Sequence, residues 1–169
     1  MKTIDNCLPK PFFDRLQQLI IWNNQFPFGL GKGVATGEEV ASDFNDWYAT
    51  HLLLNSNYVS QYYSQVLPLI SNVIHVLNLK SLLRVKVNFY PYTGQLYEHP
   101  PHTDYPFENK AALLSLNTCD GFTRLHDGTK VDSIANRLLL FDGDQLHNSS
   151  TTTNARGRWN INFNYTAAR

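Results

Sequence analysis

The chain has 169 residues, of which 43% are hydrophobic and 17% are charged, and its 14 basic residues balance its 14 acidic residues. This composition excludes an intrinsically disordered chain, a coiled coil and a polybasic nucleic-acid-binding protein. A chain of this length can bury a sizeable core, and we predict a single domain that spans residues 1–169.

Residues 1–80 carry apolar side chains at helical spacing, which predicts three helical segments that support the rest of the fold. The first begins near Pro11, a residue tolerated in a first helical turn, and the others begin at the candidate N-caps Ser42 and Ser56. The third segment restarts at Pro68. The predicted apolar faces consist of Phe12, Leu16, Leu19 and Ile20; Phe44, Trp47, Tyr48 and His51; and Val59, Tyr62, Tyr63, Val66, Ile70, Val73, Ile74 and Leu77.

After this helical region, apolar and polar residues alternate, as they do in half-buried strands. The alternation predicts that Val85, Val87 and Phe89 share one face of a strand, and Asp127-Gly128 predicts a hairpin turn. The six predicted strands are 84–90, 110–116, 122–126, 129–134, 137–141 and 158–165. Helices followed by strands alone indicate an α+β fold, in which the helices pack on one face of an antiparallel sandwich or barrel.

A histidine and an aspartate stand two residues apart in His102-Thr103-Asp104. In an extended segment, side chains i and i+2 project to the same side, so an imidazole nitrogen and a carboxylate oxygen can reach one ion. His147 follows a predicted buried strand and a turn, and it is the candidate third ligand. Two histidines and one carboxylate on one face of a metal are typical of non-haem Fe(II) oxygenases, whereas zinc more commonly has three or four protein ligands.

Arg158 opens the last predicted strand, 11 residues after His147. A guanidinium is always charged and binds a carboxylate through two parallel hydrogen bonds. Buried near a metal it needs an anion, which is either a bound carboxylate or the side chain of Asp142 or Asp144. Arg156, in the preceding loop, is the competing cation.

These motifs resemble those of the 2-oxoglutarate/Fe(II)-dependent dioxygenases of the prolyl-4-hydroxylase type, whose pattern is His-x-Asp, a distal His and then a basic residue. Tyr90-Pro91, followed by a glycine-containing loop, is similar to the strand and loop that precede the first motif in this family. The other matching segments are Leu114-Ser115-Leu116-Asn117, Asp120-Gly121-Phe122-Thr123, Asn136-Arg137-Leu138-Leu139-Leu140-Phe141 and Arg158-Trp159-Asn160-Ile161-Asn162-Phe163.

The resemblance covers residues 84–165 and implies a double-stranded β-helix, a distorted jelly roll, with the N-terminal helices packed on its major sheet. It implies that His102, Asp104 and His147 bind Fe(II). It also implies that Arg158 binds the C5 carboxylate of 2-oxoglutarate, which serves as the co-substrate together with O₂.

Further residues are expected around 2-oxoglutarate. The resemblance places Tyr90 where the family has a tyrosine that hydrogen-bonds the co-substrate, and Ser115 where it often has a hydroxyl near the C5 carboxylate. Strand alternation puts Asn160 and Asn162 on the same face as Arg158, so we predict that both asparagines line the pocket.

The reaction that the resemblance implies is hydroxylation of a substrate by O₂, with decarboxylation of 2-oxoglutarate to succinate. A peptidyl or prolyl substrate is favoured over a nucleotide or another small molecule. Two other functions fit parts of the same motif set. A jelly-roll binding module would hold a structural metal or a carbohydrate, and a zinc hydrolase would use His99, His102 and His147 with Glu98 or Asp104 as the base.

The chain carries no signal-peptide pattern, no apolar run long enough to span a membrane, and two cysteines that cannot form a disulfide framework, Cys7 and Cys119. We therefore expect a soluble cytoplasmic protein. The family often has two glycines where this chain has Gly121-Phe122, and the interval between the histidine motifs is short. This compact organisation resembles small phage-encoded members, for which the cytoplasm is that of an infected cell.

Overall fold

The computed structural model describes residues 1–33 and 45–168, which form an eight-stranded sheet, a three-stranded sheet and three short helices. The larger sheet has the order β1-β9-β6-β11-β5-β3-β2, with β4 paired to β3, and the smaller sheet has the order β10-β7-β8. The strands are β1 Lys2–Ile4, β2 Gly29–Lys32, β3 Trp47–Asn55, β4 Tyr58–Val59, β5 Leu79–Pro91, β6 Lys110–Ser115, β7 Phe122–Leu125, β8 Lys130–Asp132, β9 Leu138–Asp142, β10 His147–Ser149 and β11 Gly157–Ala167. The helices are α1 Lys10–Ile20, α2 Tyr63–Val66 and α3 Ser71–Val76.

All six strands expected from alternation are present, and the α+β fold class and the jelly-roll architecture are confirmed. Strand β5 is longer than predicted, because its first residues pair with the last residues of β11, Ala167 with Leu79 among them. Every pairing within the two sheets is antiparallel, as sandwiches and barrels of this kind require.

The second predicted helix is wrong, because its described part is the strand β3. Trp47, Tyr48 and His51 lie on this strand, and His51 is the register partner of Val87 on β5. Aromatic and β-branched residues favour strands, and pairing with a long neighbouring strand satisfies the backbone groups that a helix would otherwise satisfy internally. The predicted N-cap Ser42 and the apolar residue Phe44 lie outside the described residues.

The third predicted helix is interrupted more than its sequence pattern indicates. Ser56 lies in the turn between β3 and β4, and Val59 is an exposed strand residue. The helical part begins later, at Tyr63, and α3 follows Pro68 after a turn, which is the restart that this proline predicts.

The helices cover the outer face of the larger sheet, as expected. Alternation turns Val85 and Val87 of β5 toward this face, where they join one apolar core with Leu16 of α1 and Phe163 of β11. All four side chains are fully buried. The residues that alternate with them along β5 and β11 therefore point toward the opposite, inner face of the sheet. In the described part of the chain, no helix is long and apolar enough to cross a membrane.

The α1 contact with the sheet predicts the effect of truncating Leu16. The substitution Leu16→Ala leaves a cavity at a fully buried position and should lower the free energy of unfolding by about 2–5 kcal/mol. Urea denaturation measures this change. Gln18→Ala, at an exposed position of the same helix, is the matched control and should change stability by less than about 0.5 kcal/mol. Equal effects of the two substitutions would contradict the packing described for α1.

Candidate metal centre and its cavity

The inner face of the larger sheet carries a stripe of polar residues, made by two neighbouring strands. Along β5 and β11 every second residue points inward, and the register places these residues side by side. The four cross-strand pairs are Arg84 with Asn164, Lys86 with Asn162, Asn88 with Asn160, and Tyr90 with Arg158. Most of this stripe lines a cavity whose other walls come from β10, β7, and the loop that contains His102.

Three of the predicted site residues meet at this cavity. His102, Asp104 and His147 each offer one ligand atom, and these atoms lie within 4.8 Å of one another. The backbone sets their positions. His102 and His147 exchange both hydrogen bonds of an antiparallel pair, each with an N···O distance of 2.9 Å, and the Asp104 amide donates to the Gly143 carbonyl at 2.9 Å.

Each of the two histidines offers one ring nitrogen as a ligand atom. His147 Nδ1 lies 2.9 Å from the Gln145 carbonyl, which can only accept, so Nδ1 carries a proton and Nε2 is the nitrogen that can bind a metal. That Nε2 is 3.7 Å from Asp104 Oδ2. Burial, and then the neighbouring His147, lower the pKa of His102 to about 4, so its ring is neutral at physiological pH.

The Asp104 carboxylate is held by side chains from both strands of the polar stripe. Arg84 Nη2 donates to Oδ1 at 2.6 Å, Asn164 Nδ2 donates to Oδ2 at 2.8 Å, and Asn162 Nδ2 lies 3.4 Å from both oxygens. Burial acts to raise the pKa of Asp104, but the charge of Arg84 and the hydrogen bond from Asn164 act against it, and the pKa is lowered. The carboxylate is therefore ionised and oriented, as a metal ligand must be.

These residues fit a divalent transition metal. Two imidazoles and one carboxylate are the donor set that non-haem Fe(II) sites use, and His102 Nδ1 is a buried nitrogen without a hydrogen-bond partner among the described residues. His99 does not belong to this group of donors, since the ligand atoms that lie within 4.8 Å of one another are those of His102, Asp104 and His147. Its Nδ1 lies 3.0 Å from both the carbonyl and the hydroxyl oxygen of Ser149. Glu98 is paired with Arg124. Neither of the residues that distinguish the zinc hydrolase from the triad, His99 and Glu98, is part of the group of ligand atoms found among the described residues.

Arg158 lies at the other end of the polar stripe and is only 1% exposed. Its Nη2 donates to Thr123 Oγ1 at 2.8 Å, its Nη1 donates to the Ser150 carbonyl at 3.4 Å, and its guanidinium carbon lies 5.3 Å from the centre of the Tyr90 ring. Its Nε has no partner, and no carboxylate of the described residues forms an ion pair with it. Burial lowers the pKa of the guanidinium, although an arginine stays protonated.

The two acidic residues that could have neutralised Arg158 do not do so. Asp142 forms an ion pair with Lys110, and none of the ion pairs of the described residues joins Arg158 to Asp144. The competing cation Arg156 is exposed and lines a groove on the outer side, beside Trp159. Of the two candidate arginines, Arg158 is therefore the one that faces the cavity.

The other residues predicted around 2-oxoglutarate do not all line the cavity. Tyr90 and Asn162 line the cavity, and burial raises the pKa of the Tyr90 phenol, which keeps it a neutral hydrogen-bond donor. Ser115 is buried on the inner face beside Asn160, but it lies beyond the cavity wall. The hydroxyl that contacts Arg158 belongs to Thr123 instead, because β7 of the smaller sheet lies across the cavity from β11.

Gly121 makes room for the Arg158 side chain. A Cβ atom at this position would lie 2.8 Å from Arg158 Cδ and 2.7 Å from the Thr151 carbonyl oxygen, both closer than real Cβ contacts. The glycine of the Asp120-Gly121-Phe122-Thr123 motif is thus required by the close approach of β7 and β11. One glycine suffices here, since the side chain of Phe122 is accommodated in the core.

No protein-family model matches the chain, and no curated protein matches its sequence. Solved structures do share its fold. A prolyl hydroxylase from Trichoplax adhaerens, in complex with a peptide fragment of the hypoxia inducible factor oxygen degradation domain, has a TM-score of 0.66 at 18% identity, covering 98% of this chain and 82% of that chain.

Two further structures resemble the chain over nearly its whole length. The viral collagen prolyl hydroxylase of Paramecium Bursaria Chlorella virus-1, in a 2-oxoglutarate complex, has a TM-score of 0.63 at 14% identity, covering 99% and 96% of the two chains. The non-haem α-ketoglutarate-dependent epimerase SnoN from nogalamycin biosynthesis has a TM-score of 0.59 at 13% identity, covering 98% and 77%. These likenesses establish the fold of prolyl-4-hydroxylase-like oxygenases, the double-stranded β-helix.

The close approach at Gly121 predicts the effect of adding one methyl group there. Gly121→Ala forces the Arg158 side chain or the Thr151 backbone to move and should lower the free energy of unfolding by about 1–3 kcal/mol. Thermal denaturation measures the change. Gly94→Ala, at a position where an added Cβ meets nothing within 4 Å, is the matched control and should have little effect. If Gly121→Ala is as stable as Gly94→Ala, the packing of Arg158 described above is wrong.

The hydrogen bond from Asn164 to Asp104 predicts a role in metal affinity. Asn164→Ala frees one carboxylate oxygen and also removes the acceptor of Arg84 Nε, so the affinity for Fe(II) or Mn(II) should fall by about 10-fold or more. Anaerobic calorimetry measures the dissociation constant. Thr166→Ala lies on the same strand beyond the cavity and should leave it unchanged. An unaltered metal affinity in Asn164→Ala would contradict this role.

Proposed function

We propose that the protein is an Fe(II)- and 2-oxoglutarate-dependent dioxygenase that uses O₂ to hydroxylate a substrate while 2-oxoglutarate is decarboxylated to succinate. The observation that carries this proposal is Arg158, a fully buried guanidinium with no counter-ion in the described part of the chain, which faces the same cavity as a triad of two histidines and one aspartate. A buried unpaired charge is costly, and a bound carboxylate would offset that cost.

In this proposal the polar stripe holds the co-substrate along its length. Arg158 binds the C5 carboxylate through its guanidinium, with Thr123 and Tyr90 as neighbouring donors. Between this end and the triad, the side chains of Asn88, Asn160 and Asn162 each present a buried polar atom with no partner among the residues that the structure describes. These atoms supply hydrogen bonds to a polar molecule that lies across the inner face.

His102, Asp104 and His147 hold Fe(II) in the proposal and leave the other coordination positions to small molecules. The ion supplies the chemistry that side chains lack, the activation of O₂ for attack on a C–H bond. The protein contributes orientation: the Gln145 carbonyl fixes the His147 tautomer, and Arg84 and Asn164 fix the carboxylate. None of the triad residues needs to transfer a proton.

A peptidyl proline is the first substrate class to test, because two of the structural neighbours are prolyl hydroxylases and one is bound to a peptide. Aromatic residues follow the site residues in sequence and could contact a proline ring: Tyr105 follows Asp104 and packs with Phe107 at 5.0 Å between ring centres, and Tyr92, after β5, is 57% exposed. The third neighbour is an epimerase, so the fold alone does not determine the reaction.

Anaerobic addition of Fe(II) and then 2-oxoglutarate to metal-free protein tests the proposal. We expect the weak visible charge-transfer band of a ferrous 2-oxoglutarate chelate, and we expect it to be absent from His102→Ala. A protein that binds Fe(II) and yet shows no band with 2-oxoglutarate would overturn the oxygenase proposal and favour a metal-binding module.

The same titration assigns the carboxylate anchor. Arg158→Met removes the charge but preserves most of the volume, and it should weaken 2-oxoglutarate binding at least 10-fold while metal binding persists. Arg156→Met is the matched control and should bind 2-oxoglutarate as the parent does, since Arg156 lies on the outer side. An unchanged affinity in Arg158→Met would remove the main support for the proposed co-substrate site.

A further inference from the structure

Lys86 is a second cation in the cavity, and the proposed function leaves it unused. It lies on β5 between Arg84 and Asn88 and is the register partner of Asn162. Its side chain lines the cavity, with Nζ 5.4 Å from the centre of the Tyr48 ring. No carboxylate forms an ion pair with it within the described part of the chain.

The negative groups of the proposed site are already assigned to other cations. Asp104 is paired with Arg84 and would bind the metal as well. Of the two carboxylates of 2-oxoglutarate, one is assigned to Arg158 and the other to Fe(II). Burial, and then the charge of Arg84, lower the pKa of Lys86 to about 8, so the amine is desolvated yet still largely charged at pH 7.

The position of the ammonium group separates it from the co-substrate anchor. Lys86 is four residues from Tyr90 along β5, and its Nζ lies against Tyr48 of β3, on the side of β5 away from β11. The Tyr48 ring in turn stacks on Tyr90, at 6.1 Å between centres. An anion bound by Lys86 would therefore lie beside the Asp104 end of the stripe, within the same cavity as the triad.

We propose that Lys86 binds a carboxylate of the primary substrate, so that the substrate is an anionic molecule whose acidic group enters the cavity beside the metal. This inference rests on the proposed function, because it takes 2-oxoglutarate to be neutralised by Arg158 and the metal. It narrows the substrate class to molecules that carry a carboxylate near the C–H bond to be attacked, such as an amino acid, a chain terminus or an acidic side chain.

Calorimetric titration with a matched pair of probes tests the assignment. The probes are N-acetylglycine and its neutral amide, N-acetylglycinamide, each added anaerobically to protein loaded with Fe(II) and 2-oxoglutarate. We expect the acid to bind the parent at least 10-fold more tightly than the amide. In Lys86→Met this preference should disappear, whereas Lys86→Arg, which keeps the charge, should retain part of it.

A control variant and a measurement of stability show whether a loss of binding results from unfolding. Lys80→Met removes an exposed lysine from the same strand and should keep the parent's preference for the acid. Removal of a partly buried charge without an ion-pair partner among the described residues should not destabilise the fold, so the melting temperature of Lys86→Met should equal or exceed that of the parent. If Lys86→Met fails to fold, Lys86→Gln, which stays polar, takes its place.

Three results would overturn the proposal: an acid preference that persists in Lys86→Met, no preference in the parent, or a 10-fold loss of 2-oxoglutarate affinity in Lys86→Met. The last result would assign Lys86 to the co-substrate. Titration without 2-oxoglutarate separates this proposal from the proposed function. If 2-oxoglutarate does not bind but N-acetylglycine binds in a Lys86-dependent manner, the oxygenase function fails and the anion site stands.

Discussion

The pairing of β5 with β11 is the constraint on which the rest of the structure depends. Its register places hydrophobic residues such as Val87 and Ile161 side by side toward the helices, and polar residues such as Asn88 and Asn160 side by side toward the cavity. Since side chains alternate along a strand, a shift of one residue would exchange the two sets and bury the asparagines in the core. The same hydrogen bonds thus define both the core and the chemistry of the site.

Among the described residues that line the cavity, positively charged side chains outnumber carboxylates. Lys86 and Arg158 line it without ion-pair partners, and Asp104 is the one carboxylate among its lining residues in the described part of the chain. Native proteins seldom keep buried charges that cost stability unless a bound group offsets the cost. The distribution of these charges, at separate rows of one sheet, indicates that more than one anionic group is accommodated at the same time.

Much of the fold could be predicted from the sequence because alternation is a strong signal in long strands. The spacing of apolar residues predicted the wrong element at β3, because Trp47, Tyr48 and His51 also satisfy helical spacing. Pairing with β5 makes this segment a strand. Alternation also missed β10, since three residues are too few to show a period.

The residues of the candidate site could be predicted from their sequence motifs, but the residues that hold them in place could not. Arg84 and Asn164 lie 20 and 60 residues from Asp104 in sequence, and only the register of β5 and β11 brings them to its carboxylate. Extending the alternation from Asn162 by two residues would have placed Asn164 on the inner face. Thr123 carried no such signal, because its contact with Arg158 joins two different sheets. The sequence also could not show that Ser115 lies outside the cavity, because it does not show how far the cavity extends along β6.

The backbone pair between His102 and His147 has a consequence for folding. The two residues are 45 positions apart, and one belongs to a loop while the other belongs to the smaller sheet. An ion bound by both, and by Asp104 beside the larger sheet, is a crosslink that closes this long segment. Because such a bond exists only in the folded chain, ion binding at 100 times the dissociation constant adds about 2.7 kcal/mol to stability. An ion at this site would then act on the lifetime of the folded chain as well as on its chemistry, because the ion-bound protein unfolds less often and is exposed less to proteolysis.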